Sequence, residues 1–247
     1  MNSAAPKFSI IVPAYNEQEL LPRLLRSIEV AREHYGGGAA AIEVIVADND
    51  STDGTAALAA GHGAKVVRVS KRRIGAVRNG GAQIAQGEIL CFSDADSEIH
   101  PQTFTAIEDV LNTGKFVGGT TGLRMERNSP GLLFTWGMLM IVSYFTKIDA
   151  GVVFCRRADF EAIGGYNEEK LYGEDISFLL AMRSLGRTRQ QRLTRLRGVR
   201  ALGSTRKFDQ FGDWHFLMMA RQGLKSCITW NWNDEKFASR YWYDSGR

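Results

Sequence analysis

The first hundred residues repeat one pattern of apolar and polar positions. A short run rich in valine and isoleucine gives way to a polar turn, and then to a stretch whose apolar residues recur every three or four positions. Short apolar runs bounded by turn-formers predict strands, and the 3.6-residue period predicts amphipathic helices. The strands fall at 8–12, 42–47, 65–69 and 89–92. The first helix carries Leu20, Leu21, Leu24, Leu25 and Ile28 and ends before Gly36, with Asn16 and Glu19 forming a capping box at its start. Further helices are predicted near 53–60 and 75–85, the former capped by Asp53.

Strands alternating with helices at this spacing predict an α/β fold: a mostly parallel central sheet flanked by helices, with right-handed crossovers. Ligands of such sheets sit at the carboxyl ends of the strands. Each predicted strand here runs straight into a polar cluster. The clusters are Pro13 to Glu17, Asp48 to Thr52, Ser70 to Arg73, and Ser93 to Ser97, and the topology turns all four toward one rim.

Composition changes this picture little. The chain has 247 residues, 44% hydrophobic and 23% charged, which is ordinary for a soluble globular protein with a sizeable core. A net charge of +4 is too small to name a partner. Cys91, Cys155 and Cys227 are odd in number and far apart, so they read as reduced, packed thiols rather than a disulfide framework or a zinc site. The apolar run at 8–12 is too short for the core of a signal peptide, and a cytoplasmic protein is expected. Residues 132–145 carry no charge but fall short of the roughly 20 needed to span a bilayer. Two readings stand for that segment: a buried core helix, or an interfacial helix in peripheral contact with a membrane.

The strongest chemical signal is Asp94-Ala95-Asp96. On extended backbone, carboxylates at i and i+2 face one side and can meet a single divalent cation, and hard oxygen ligands suit magnesium or manganese. A cation there would neutralise charge on a departing diphosphate. A solvated turn with two acids is the plainer reading of so short a motif.

The motif does not stand alone. The run from Ile10 to Glu17, Ile-Ile-Val-Pro-Ala-Tyr-Asn-Glu, the run from Val44 to Thr55 around Asp48-Asn49-Asp50, and Gly75-Ala76-Val77-Arg78-Asn79-Gly80-Gly81 precede Asp94-Ala95-Asp96 in order. Together they closely resemble family 2 glycosyltransferases of the Rossmann-like GT-A fold, over roughly residues 7–225. The resemblance implies a nucleotide-diphospho-sugar donor, a UDP-hexose by frequency in the family. Pro13, Ala14, Tyr15 and Glu17 then line one side of the nucleotide, Asp48 accepts a bond from the base, and Arg73 and Arg78 meet phosphate oxygens. For Arg78 a helix-surface arginine is an equal reading. One departure is that Ala47 and Asn49 flank a single Asp48, where relatives often carry paired aspartates.

The second half carries Gly164-Gly165-Tyr166-Asn167-Glu168 and Leu171-Tyr172-Gly173-Glu174-Asp175, which resemble the family's acceptor loop and base motif. The resemblance implies Asp175 as general base and Glu174 as its orienting partner, giving one displacement with inversion. Two acids in a first helical turn are also favoured by the helix dipole alone. Arg206 and Lys207 resemble the family's diphosphate clamp, and His215 stands as a third metal ligand or as a packed core histidine. The arginines from 187 to 200 fit an exposed edge strand better than a nucleic-acid surface. The aromatic-rich tail 226–247 is left unassigned.

The expectation is therefore one GT-A domain over 1–247, with a nucleotide-binding half at 1–100 and an acceptor-binding half at 101–225. It would move a hexose to a hydroxyl of a lipid-linked or polysaccharide acceptor. A nucleotide-sugar-binding protein without transfer activity is the alternative; a two-carboxylate hydrolase has no use for a nucleotide cradle.

Overall fold

The computed structural model describes residues 5–134, 137, 149–171 and 173–214. Its main sheet has seven strands in the order β3-β2-β1-β4-β8-β6-β9. Strands β1 (Phe8–Ala14), β2 (Ile42–Asp48), β3 (Lys65–Arg68) and β4 (Ile89–Phe92) are parallel, as their spacing predicted. The difference lies in β8 (Val153–Arg156), which enters antiparallel between β4 and β6 (Phe116–Thr120). The parallel partner of β6 is β9 (Arg192–Arg195), on the sheet edge where the arginine-rich stretch was expected.

Every residue of β1 is buried, as a strand covered on both faces must be. Phe8, Ile10, Val12 and Ala14 face one core with α1 (Leu21–His34) and α4 (Thr103–Asn112). Ile11 faces the other, with α3 (Ile74–Ile84), α5 (Arg157–Ala162) and α6 (Glu174–Thr188). A small helix, α2 (Thr55–Gly61), packs Ala59 into the first core. Pro13 is tolerated in a central strand because β1 pairs with β4 only through Ile11, so the missing N–H falls beyond that ladder.

In the second core Phe92 stands among Phe160, Tyr166 and Phe178 at centroid distances of 5.5, 5.1 and 6.2 Å, and Tyr166 stacks on Phe178 at 4.2 Å. Truncating a ring so enclosed typically costs about 3–5 kcal/mol. Cys91 and Cys155 are buried and free, as expected, while Cys227 lies outside the described residues.

A second sheet joins three short strands, β5 (Ser97–Glu98), β10 (Ala201–Gly203) and β7 (Leu123–Met125), in the order β5-β10-β7. It closes the molecule over the carboxyl ends of β1 and β4. Past β10 the chain forms α7 (Arg206–Phe211).

The capping box at α1 is absent. Asn16 adopts φ 50° and turns its side chain to the loop after β2, where its Oδ1 accepts the Thr52 N–H at 2.8 Å. The Glu17 carbonyl accepts the Leu21 N–H instead. The N-cap of α2 is Gly54 rather than Asp53, which lies one residue earlier and accepts the Thr55 N–H on Oδ1 at 2.9 Å. Of residues 132–145 only the first few are described: Leu132 is buried, whereas Leu133 and Phe134 are exposed. Among the described residues no helix is long and apolar enough to cross a membrane.

Candidate active site

The loops after β1 and β2 are zipped together. The Asn16 N–H donates to Ser51 Oγ, the Glu17 N–H to Thr55 Oγ1, and the Gly54 N–H to Gln18 Oε1. This fixes Tyr15 and Glu17 at the rim. Asp48, at the end of β2, accepts the Ser51 N–H on Oδ2, while its buried Oδ1 has no hydrogen-bond partner. Asn49 also borders the cavity, and its Nδ2 donates to the Val69 and Lys71 carbonyls and so holds the loop after β3. The guanidinium of Arg72 from that loop lies 4.8 Å from the Tyr15 ring centroid.

Asp94 and Asp96 do not lie on extended backbone as expected. Strand β4 ends at Phe92, Ser93 donates the last ladder bond to Ile11, and residues 95–96 form a turn into β5. The change of direction is forced because the chain leaves one sheet for the other. Both carboxylates still line one cavity, of about 360 Å³, with Pro13, Ala14, Tyr15, Glu17, Arg78, Glu174 and Asp175. Leu123, Met125, Leu171 and Phe208 give the cavity an apolar flank. The strand carrying Leu123 and Met125 is three residues long and shows no periodic signal.

At the cavity floor Arg78, expected at the phosphates or on a helix surface, is neither exposed nor free. Nη1 donates to Glu174 Oε1 at 2.9 Å and to Asp175 Oδ1 at 2.8 Å, and Nη2 donates to Asp94 Oδ1 at 3.0 Å. Its side chain is only 5% exposed. Helix α3 can sink this far because Gly75, Gly80 and Gly81 let it approach the 166–167 loop, Val69 and Ile11 more closely than any Cβ would permit. Burial works against the guanidinium charge, but Asp175, Asp94 and Glu174 hold it well above its ordinary value. Burial likewise pushes the Asp175 carboxyl up, to about 7, against the pull of Arg78 and with the push of Glu174.

Glu174 and Asp175 open α6 behind Gly173, whose φ of 72° needs a glycine. The preceding loop is clamped to α3 by Asn79: its Oδ1 accepts the Tyr166 N–H, and its Nδ2 donates to the Tyr166 carbonyl and to Glu168, each at 2.9 Å. Across the cavity, Arg206 donates to both oxygens of the buried Glu17 at 3.0 Å and to Asp96 at 3.4 Å. Arg73 lies at the head of α3, donating to the Arg72 carbonyl, and does not line the cavity. The Lys207 side chain and all of His215 lie outside the described residues.

Asp94 and Asp96 offer a divalent cation two hard carboxylates beside open space. No group of three ligating side chains assembles among the described residues. That set fits magnesium or manganese held jointly with substrate oxygens, the usual manner for a cation that stays partly hydrated.

The family model Glycosyl transferase family 2 matches residues 9–203. The 4,4'-diaponeurosporenoate glycosyltransferase of Staphylococcus haemolyticus is 37% identical over 112 residues, 42% of this chain and 28% of that protein. The dolichyl-phosphate beta-glucosyltransferase of Drosophila melanogaster is 39% identical over 121 residues, 44% of this chain and 37% of that protein. The matches thus span well under two thirds of these relatives' own lengths. Among solved structures, the Staphylococcus aureus TarS 1-349 structure superposes with a TM-score of 0.63 at 21% identity, over 86% of this chain and 63% of that one. A Pyrobaculum calidifontis mannosyltransferase, solved with GDP-Man and Mn2+, gives 0.65 at 20% identity, over 81% and 57%. At these identities the structural likeness shows a shared fold.

Proposed function

The chain belongs to glycosyltransferase family 2, and on that premise we propose that it transfers a hexose from a nucleotide diphosphate to an acceptor hydroxyl with inversion. One observation carries the reading: Asp94, Asp96, Glu174 and Asp175, drawn from distant parts of the chain, line a single cavity at the strand ends.

In this reading the Tyr15 ring stacks on the base, and the unpartnered Asp48 Oδ1 accepts a base N–H. UDP is the favoured carrier. Asp94 and Asp96 hold a magnesium or manganese ion, which supplies charge neutralisation for the departing diphosphate. Arg206, with Lys207, serves the phosphate oxygens. Asp175 takes the acceptor's proton as the hydroxyl attacks the anomeric carbon, and Glu174 beside it orients the acceptor.

The apolar flank of the cavity and the relative named for dolichyl-phosphate support a lipid-linked acceptor. Peripheral membrane contact is supported by the exposed Leu133, Phe134 and Trp214, with the Phe134 and Trp214 rings 5.8 Å apart.

Calorimetry with UDP, GDP and their common hexose conjugates tests the reading, with manganese and then with chelator, on the wild type and Asp96→Ala. Metal-dependent binding that the substitution abolishes is the expected result. No binding of any nucleotide by the wild type would sink it.

A further inference from the structure

We propose that Arg78 is a positioning residue that locks the acceptor-side carboxylates to the donor-side loop, and that it does not bind phosphate. The inference rests on Asp175 being the general base.

The geometry is specific. One planar guanidinium reaches Asp94 in the loop after β4 through Nη2, and Glu174 and Asp175 at the head of α6 through Nη1. Asp94 and the Glu174–Asp175 pair are thus held by different terminal nitrogens of one guanidinium. The guanidinium rests on the face of Tyr166, 5.1 Å from its centroid, and that ring is stacked on Phe178. The fork therefore has aromatic backing and three charged stops. A lysine, a point charge on a flexible stem, cannot hold both sides of such a span in fixed orientation.

Both terminal nitrogens already donate to carboxylates, and Nε is buried with no hydrogen-bond partner. Three of its five N–H bonds are thus taken by carboxylates and the Nε–H is buried, which leaves a single Nη2 hydrogen and no paired grip on a phosphate unless one of the carboxylates moves. The arrangement suits a different task. Asp175 must present one oxygen to the incoming acceptor and keep the other still, and the bond from Nη1 holds its Oδ1 at 2.8 Å. Displacing a reacting group by about 1 Å can cost a hundredfold in rate, which is the scale of effect that a lost clamp produces.

The test uses the full chain with Arg78→Lys and Arg78→Met. UDP and GDP affinities are measured by calorimetry, and kcat and KM by hydrolysis of UDP-glucose and GDP-mannose to the free sugar, which needs no known acceptor. The expected result for Arg78→Lys is a kcat lowered about a hundredfold, with nucleotide affinity and donor KM within about threefold of wild type, the signature of an interaction that matters for the chemical step and not for binding. Arg78→Met should behave likewise or worse, and if it fails to fold the lysine variant decides. Affinity and kcat falling in proportion would make Arg78 a phosphate ligand and overturn the proposal. So would a lysine variant with wild-type kcat. A wild type that neither binds nor hydrolyses these donors would instead remove the transferase reading, and this inference with it, before any variant is compared.

Discussion

Arg206 embraces Glu17 with both terminal nitrogens at 3.0 Å, although 189 residues separate them in the chain. Glu17 is 5% exposed and Arg206 about a third exposed, so the pair closes one side of the cavity with a charge that is nearly out of water. Removing the guanidinium takes two charged hydrogen bonds from this buried carboxylate. Arg206→Ala is expected to lower stability by about 1–3 kcal/mol, the range for a lost charged hydrogen-bonded partner discounted for partial exposure. Urea unfolding would read this directly, and nucleotide affinity should fall in the same variant.

Asp175→Asn should keep nucleotide affinity within a few-fold while donor turnover falls by about a hundredfold or more, since a general base contributes on that order. The same variant reports on the acceptor. A hydroxyl acceptor needs a proton removed, whereas a phosphate acceptor is already ionised at neutral pH. Unimpaired transfer to a polyprenyl phosphate by Asp175→Asn would therefore contradict the hydroxyl.

The raised Asp175 carboxyl sets a pH dependence. A base must be ionised, so turnover should climb with pH up to about 7 and then level off. For stability the sign is opposite. The folded state keeps a proton that the unfolded chain releases near 4, so the contribution is intact below that value and is lost as pH rises toward 7. Urea midpoints of wild type and Asp175→Asn across this window should diverge, with the wild type falling relative to the variant.

Two neighbouring glycines separate backbone strain from crowding. Gly164 and Gly165 have φ of 75° and 73°, but only Gly165 is enclosed: an added Cβ would lie 2.7 Å from Asn79 Oδ1 and 2.9 Å from the Phe160 ring. Gly164→Ala should cost about 1–2 kcal/mol for the left-handed backbone alone. Gly165→Ala should cost about 1–3 kcal/mol more and disturb the Asn79 clamp. Melting temperatures rank the two.

The first four strands and three helices were legible because each is long enough to show its period, from the valine-rich β2 to the leucines of α1. Their polar carboxyl ends were legible for the same reason, and Asp94, Asp96, Glu174 and Asp175 do meet in one cavity. Antiparallel β8 was not read, since Val-Phe-Cys-Arg carries no direction in its pattern. The three-stranded sheet was missed because strands of two or three residues have no period at all. The burial of Arg78 was not read, although a signal was present: glycine and alanine make up much of α3, the composition of a helix packed closely on its neighbours. The Asn16 box failed because capping residues also serve loops, and a tertiary partner in Thr52 won.

The small sheet also imposes an order on biosynthesis. Leu202 and Gly203 pair with Glu98 and Ser97, and Ala201 to Gly203 with Leu123 to Met125, so the strand that closes the cavity is the last of the three to leave the ribosome. A nascent chain can build β1 to β4 early, yet through that interval Asp94 and Asp96 face open water with neither Arg206 nor the head of α6 opposite them. In the proposed function the donor site is therefore complete only once residues 201–206 have been made, and a fragment halted before residue 201 should carry a cradle with one wall unbuilt.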